Sequence, residues 1–200
     1  MTQEQESPID TSLHPIWGFF AIFSIGFPLF FLFRPPLPEV YDPLPELTLV
    51  DHKNQQTALA DFQGQSSIVN FIFTRCQDVC PALSARMAYI QSKLPEAHLF
   101  SITVDPQYDT PSILQSYAKR FNASEHWRFL TGDAEQIRFV NQAFQQAYEH
   151  QKSTTDAPNI LHSQKFILVD KKGQIRGFYD DNTQGLQQLM QDYKRLKGFF

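Results

Sequence analysis

The segment FIFTRCQDVCPALS, residues 71–84, contains both cysteines of this 200-residue chain. Cys76 and Cys80 are separated by three residues and are followed directly by Pro81. Two cysteines at this spacing can form a disulfide, act as a redox pair or supply two sulfur ligands to a metal ion. A closed zinc site takes four ligands, and the chain has no second cysteine pair, whereas thiolates combined with an imidazole suit copper.

The two cysteines are predicted to lie between a buried strand and a helix. The apolar, β-branched run SIVNFIF (67–73) is typical of a central strand, and Pro81 favours the first turn of a helix that continues to about Leu94. A helix N-terminus offers free N–H groups and the positive end of the helix dipole. We therefore expect thiolates to be favoured at this position, with the positive charge of Arg75 close by.

Strand and helix patterns alternate through the rest of the chain, which predicts an α/β layered domain compatible with a thioredoxin-like fold. The predicted elements are a strand over 98–105, a helix over 109–121 capped by Thr110, a short strand over 127–130, a helix capped by Asp133, a hairpin formed by KFILVD and QIRGFY, and a final helix carrying Leu186, Leu189, Tyr193 and Leu196.

The N-terminal part contains an uncharged run of eighteen residues, Ile16–Phe33, which predicts a transmembrane helix. A cleaved signal peptide and a buried core helix are the alternatives, but neither a basic region before the run nor an A-x-A-like site after it is present. Residues 1–15 contain no Lys or Arg, so the positive-inside rule gives no support for export of the following domain. That rule has little force for long domains, which are translocated largely regardless of charge.

The predicted domain organisation is a short tail (1–15), a transmembrane helix (16–33), a linker (34–46) and a globular domain (47–200). The linker contains five prolines, which favour an extended and stiff spacer. The net charge of −4 and the pI of about 5.8 argue against a nucleic-acid-binding protein, which usually carries a basic face.

Among the six histidines, His162 is the best placed to act as a third ligand. It ends the polar segment QKSTTDAPNILHS and directly precedes the predicted strand KFILVD. Long loops in compact domains often carry function, but a solvated loop histidine has the same sequence appearance. The other candidates lie before the apolar run, in polar turns or loops, or at the start of a strand: His14, His52, His98, His126 and His150.

Several segments in order along the chain resemble the Sco family, also called SenC or PrrC, which comprises copper-binding assembly factors of cytochrome c oxidase. FIFTRCQDVCP is similar to the copper-site motif of this family, and ITVDPQYDTPSILQSYAKRF and FLTGDAEQI resemble its next two motifs. The segment LHSQKFILVDKKGQI is similar to the one that carries the histidine ligand. The resemblance covers roughly residues 47–196.

This resemblance implies a thioredoxin-like domain with a copper site formed by Cys76, Cys80 and His162. It implies a membrane-anchored chaperone that delivers copper to the binuclear centre of cytochrome c oxidase, with the redox state of the cysteines gating binding. Its partners would be the copper-bearing oxidase subunit or another copper chaperone. Its location would be a bacterial inner membrane, crossed once, with the C-terminal domain in the periplasm or an equivalent compartment.

The same residues leave other functions open. A thiol–disulfide oxidoreductase that reduces the cysteines of the oxidase copper site would use the same pair, and a redox sensor or peroxide-reducing protein is a third possibility. Gln77 and Tyr108 depart from the Pro and Arg that are usual in the family. Asp78 and Asp105 are candidates for tuning the site or bonding to its loop, but each is equally explained as a helix-start or strand-end acid. Met87 and Met190 are expected in the core.

Overall fold

A computed structural model of the chain describes residues 36–76, 79–152 and 164–198. The predicted tail (1–15), the predicted transmembrane helix (16–33), and Gln77, Asp78 and His162 lie outside the described residues. Within the described part, no helix is both long enough and apolar enough to cross a membrane. The residues from Leu37 to the C-terminus form one compact unit.

The described residues form seven strands, four α-helices and a short 3-10 helix at Leu59–Phe62. In chain order, the strands are β1 (Thr48–Asp51), β2 (Gln56–Ala58), β3 (Ser67–Ile72), β4 (His98–Thr103), β5 (Trp127–Thr131), β6 (Lys165–Val169) and β7 (Ile175–Asp180). The helices are α1 (Val79–Lys93), α2 (Pro111–Arg120), α3 (Ala134–Lys152) and α4 (Thr183–Gly198).

All seven strands belong to one sheet with the order β2-β1-β5-β4-β3-β6-β7. Strands β3, β4 and β5 are parallel, so their carboxyl ends share one edge of the sheet. Strands β6 and β7 form an antiparallel hairpin that pairs with β3. The turn of this hairpin is closed by Asp170, whose Oδ1 accepts hydrogen bonds from the N–H groups of Lys172 and Gln174 at 2.8 and 3.0 Å.

The sheet is covered by helices on both faces, because alternate residues of the central strands point to opposite sides. Ile68 and Ile72 of β3 pack with apolar residues of α1, α2 and α4. Val69 and Phe71 of the same strand pack with apolar residues of α3 on the other face. The central strand is therefore buried on both faces, as its sequence predicts, and the mixed α/β architecture is confirmed.

Local capping residues set the starts of two helices where the sequence predicts them. The hydroxyl of Thr110 accepts a hydrogen bond from the N–H of Ile113, and Pro111 is the first residue of α2. The Asp133 carboxylate accepts from the N–H groups of Glu135 and Gln136, both at 2.9 Å, at the start of α3. These side chains satisfy first-turn amides that have no partner inside the helix.

The first helix begins at Val79, two positions before the predicted start at Pro81. A proline in the first turn removes an N–H that would have no intrahelical partner in any case, so the helix extends past it toward the N-terminus. Cys80 is consequently part of the helix rather than part of the preceding loop.

Sequence patterns did not predict β1, β2 or the 3-10 helix. β1 and β2 are short, and their pairing is antiparallel at the edge of the sheet. Their turn depends on Asp51, whose Oδ1 accepts from the N–H groups of Lys53 and Gln55 at 2.8 Å each, and on Asn54 at a φ of 63°. Strands this short leave too few alternating residues for a periodic signal.

The predicted linker is docked on the domain from Leu37 onwards. The Arg176 side chain on β7 donates to the carbonyl oxygens of Pro38 and Glu39, with Nε–O distances of 3.0 Å to each. Asp170 pairs with the same guanidinium, Nη1 to Oδ2 at 2.8 Å, and both side chains are buried. The compact unit thus begins before residue 47, where the proline-rich composition placed the start of the domain.

Candidate metal site

The two cysteines meet at the carboxyl end of β3, where the strand passes into α1. The N–H of Cys76 donates to the carbonyl oxygen of Phe73 at 3.3 Å, which turns the chain just after the strand. The N–H of Cys80 donates to the Cys76 sulfur at 3.4 Å. Because this amide lies in the first helical turn and needs a partner from outside the helix, the sulfur acts as a cap. The loop therefore folds Cys76 back over the start of the helix that carries Cys80.

The two cysteines are not joined by a disulfide, and their environments differ. Cys76 is partly exposed, whereas Cys80 is only 6% exposed. Burial raises the pKa of Cys80 to about 11; a hydrogen bond with the Phe73 backbone opposes this shift, and one with the Cys76 side chain adds to it. Burial of Cys80 therefore opposes the thiolate that the helix N-terminus was expected to favour.

Arg75, which precedes the first cysteine, is fixed by the loop after β4. Its Nε and Nη2 donate to Asp105 Oδ2 at 2.9 and 2.5 Å. The guanidinium also stacks on the Tyr108 ring, with 4.5 Å from its central carbon to the ring centroid. Asp105 therefore bonds to the cysteine loop, one of its two expected roles, and Tyr108 supports the same arginine.

A second set of contacts links this loop to a buried carboxylate. Asp109 is fully buried, and its Oδ2 accepts from the Thr74 N–H at 3.1 Å and from the Thr103 hydroxyl at 2.5 Å. The Thr74 hydroxyl donates to the other carboxylate oxygen. The sequence pattern assigns Asp109 only to the start of a helix. Thr74 lies 35 positions away in the chain, so no local signal indicates this contact.

His162, the predicted third ligand, lies outside the described residues. Among residues 36–76, 79–152 and 164–198, no group of three His, Cys, Asp or Glu side chains is placed to hold a metal ion. The described arrangement therefore supplies two soft sulfur donors, held next to one another. Soft donors of this kind suit copper, and completing such a site requires a ligand from elsewhere.

None of the other histidines in the described residues belongs to a group of three potential metal ligands. His52 is buried, and its Nδ1 accepts a hydrogen bond from the N–H of Phe129 at 3.2 Å. His98 and His126 stack with ring centroids 5.4 Å apart at the amino ends of β4 and β5, opposite to the cysteine end. The backbone of His150 belongs to α3 rather than to the predicted loop.

The two methionines considered as ligands belong to the core, as predicted. Met87 is fully buried in α1, and Met190 packs against the same apolar cluster from α4. Neither is described as part of the cysteine loop, so the sulfur donors of the described site are the two thiols.

Comparison with known proteins agrees with the fold and with the cysteine segment. The sequence pattern of the SCO1/SenC family matches residues 40–198. A protein from Stutzerimonas stutzeri, named as copper-binding, is 31% identical over 139 residues, covering 67% of each chain. A SCO2-like protein from Rickettsia felis is 32% identical over 148 residues, covering 69% of this chain and 70% of its own.

Solved structures show the same thioredoxin-like fold. The crystal structure of a SCO1/SenC family lipoprotein from Bacillus anthracis is 25% identical, with a TM-score of 0.66, and the match covers 81% of this chain and 99% of that one. The match to the family pattern includes the whole described cysteine loop and all seven strands. The chain belongs to the SCO1/SenC family.

Proposed function

We propose that this chain is a membrane-anchored copper-binding chaperone that delivers copper to the binuclear copper centre of cytochrome c oxidase. The observation that carries the proposal is the position of two reduced cysteines at one helix start, with the Cys80 amide bonded to the Cys76 sulfur. Two adjacent thiols can converge on one ion, and their softness favours copper over harder metals. His162 is proposed as the third ligand, as the family resemblance implies.

Transfer would proceed by ligand exchange. Copper is the cargo, held by both cysteine sulfurs and a neutral His162 imidazole, and thiolates of the receiving protein replace these ligands one at a time. Cys76 is the more exposed of the two residues, so we infer that a partner approaches on its side. Oxidation of the pair to a disulfide removes both sulfur donors, which would release copper and let redox state gate transfer.

The proposed anchor and location come from the sequence. The apolar run at residues 16–33 would hold the domain at a bacterial inner membrane, crossed once, with the C-terminal domain in the periplasm or an equivalent compartment. The proposed partner is the copper-bearing subunit of the oxidase or another copper chaperone. The net charge of −4 supports a protein partner over a nucleic acid.

A thiol–disulfide oxidoreductase is the second candidate. It is favoured by the hydrogen bond between the two cysteine side chains, which places two thiols in reach of one another without any metal. In that function, a disulfide on the partner takes two electrons and two protons from Cys76 and Cys80. The partner's cysteines become thiols, and this chain's pair becomes a disulfide.

Substitution of His162 separates the two functions, because a copper site needs the imidazole and dithiol exchange does not. We expect His162→Ala to weaken copper binding by at least ~10-fold, about 1.4 kcal/mol, while disulfide exchange with glutathione is unchanged. Copper affinity would be measured by competition with a chelator of known affinity. Cys76→Ser should abolish both copper binding and disulfide exchange.

The matched control is His126→Ala, since His126 lies at the opposite end of the parallel strands. It should bind copper as the unmodified protein does. Equal copper affinity in the unmodified protein and His162→Ala would remove His162 from the site and favour the oxidoreductase. Failure of the unmodified, reduced protein to bind copper would refute the chaperone function itself.

A further inference from the structure

We propose that Asp109 is a positioning residue for the cysteine pair, acting through Thr74. This inference rests on the proposed function only in treating Cys76 and Cys80 as the reacting groups. Asp109 touches neither sulfur in the described contacts. Instead, it fixes the position of Thr74, which begins the short segment that leads to Cys76.

The carboxylate of Asp109 is shared between two threonines from two different parts of the chain. On one side it accepts from the N–H and the hydroxyl of Thr74, two residues before Cys76. On the other side it accepts from the hydroxyl of Thr103, the last residue of β4. The cysteine loop is thereby joined to the rigid end of a central strand by charge-assisted hydrogen bonds, which are stronger than neutral ones.

The burial of this carboxylate restricts where its hydrogen-bond donors can lie. Asp109 and Thr103 are fully buried, and no ion pair within the described residues includes Asp109. Hydrogen-bond donors contact both of its oxygens and the charge of Arg75 also acts on it, so moving Thr74 away would leave a buried carboxylate with fewer donors. The position of Thr74, and with it the path of the chain into Cys76, is consequently restricted.

The position of the segment after Thr74 decides how the two sulfurs meet. Cys76 must return over the start of α1 for its sulfur to accept the Cys80 N–H. A loop that adopted several conformations would lower the effective concentration of one thiol with respect to the other. Asp109 thus favours both disulfide formation and the joint binding of one ion, because each requires the two sulfurs in the same place.

Two matched substitutions distinguish positioning from a general contribution to stability. Thr74→Val and Thr103→Val each remove one hydroxyl donor to the same carboxylate, the first on the cysteine side and the second on the strand side. The readout is the equilibrium with glutathione, in which oxidised glutathione takes two electrons and two protons from the pair. This measurement needs no copper, so it stands even if the proposed copper function fails.

We expect Thr74→Val to lower the equilibrium constant for formation of the Cys76–Cys80 disulfide by at least ~5-fold, because the loop loses a hydrogen bond to a charged group. Thr103→Val should stay within about 2-fold because the Asp109–Thr74 contacts persist. Asp109→Asn should disfavour the disulfide by less than Thr74→Val does, since its amide can donate to the Thr74 hydroxyl and its oxygen can keep the other two bonds, although none of the three is then charge-assisted. Thr74→Ser, which restores the hydroxyl, should match the unmodified protein.

Two results would overturn the proposal: an unchanged equilibrium in Thr74→Val, and a shift in Thr103→Val equal to that in Thr74→Val. Folding of each variant is checked by urea denaturation. If Thr74→Val does not fold, Thr74→Ala removes the same hydroxyl without adding a methyl group, and the same expected and contradicting results apply.

Discussion

The two ends of the parallel strands β3, β4 and β5 carry polar groups in very different surroundings. At the carboxyl end, Thr103 and Asp109 are fully buried and bonded to one another. At the amino end, the polar groups reach solvent: the Gln65 amide contacts His98, and the ring of His98 stacks on the partly exposed His126.

The difference shows which polar contacts can fix geometry. A buried hydrogen bond is electrostatically strong, and breaking it leaves a group without water to replace the partner. An exposed contact exchanges freely with water, so its loss costs little. The cysteine end is therefore built to hold a loop in one position, whereas the histidine end tolerates substitution. Substitutions at each end test this contrast.

The largest effect is expected at the carboxyl end, from Thr103→Val. The change removes a donor to buried Asp109 and an acceptor for the N–H of Asp105, so the free energy of unfolding should fall by about 1–3 kcal/mol. Urea denaturation measures this value. Thr57→Val is a matched control, because the buried Thr57 hydroxyl has no hydrogen-bond partner within the described residues.

Thr57→Val should leave stability unchanged or raise it, since it replaces an unsatisfied buried hydroxyl by a methyl group. Equal losses in the two variants would mean that valine costs the same at any buried threonine. The carboxyl end would then have no special role in holding the loop.

A smaller effect is expected at the amino end, where Asp61 accepts from Arg128 at 2.8 Å. Burial tends to raise the pKa of Asp61, but hydrogen bonds from the Ala58 N–H and Arg128 outweigh it, and the pKa is lowered. Both side chains are partly exposed, at 30% and 25%, so a double-mutant cycle with Asp61→Asn and Arg128→Met should give only ~0.2–1 kcal/mol of coupling. A coupling as large as the loss in Thr103→Val would remove the contrast between the two ends.

The smallest effect concerns pH. Burial lowers the pKa of His98, the charges of His126 and Arg128 lower it further, and Asp61 opposes them. Because the folded protein binds this proton less readily than the unfolded chain, the contribution of His98 to stability is complete above the ordinary pKa of 6.5. It declines as pH falls below that value toward the lowered pKa.

His98→Gln should therefore lose less stability than the unmodified protein between about pH 7.5 and about pH 5.5. Urea midpoints at the two pH values give the comparison. The buried His52, whose pKa is also lowered by burial, accounts for pH dependence that remains in the variant. An unchanged difference between the two midpoints would show that the His98 proton is not linked to folding.

The sequence predicted the features that depend on near neighbours. Thr110 and Asp133 were recognised as caps because each bonds to amides two or three residues away. The buried central strand was recognised from its continuous apolar run. The cysteine pair was recognised because its members are close in the chain and lie between a strand and a helix.

The features that were missed depend on residues far apart in the chain. The contact between Asp109 and Thr74 spans 35 positions, so no local pattern reveals it. The raised pKa of Cys80 follows from packing by several elements, which composition does not show. The short edge strands β1 and β2 pair through tertiary contacts and lack a periodic signal of their own.

The contact of Arg176 with the backbone of residues 38 and 39 has a consequence for which substitutions this segment tolerates. A guanidinium that holds two carbonyl oxygens recognises the backbone, and the side chains at these positions take no part in the contact. Mutations can therefore accumulate at Glu39 while the segment stays attached, provided that Arg176 and Asp170 persist. A domain boundary drawn from sequence variability alone would be placed too far along the chain. Truncation there would remove two carbonyl acceptors of a buried arginine and leave it only Asp170.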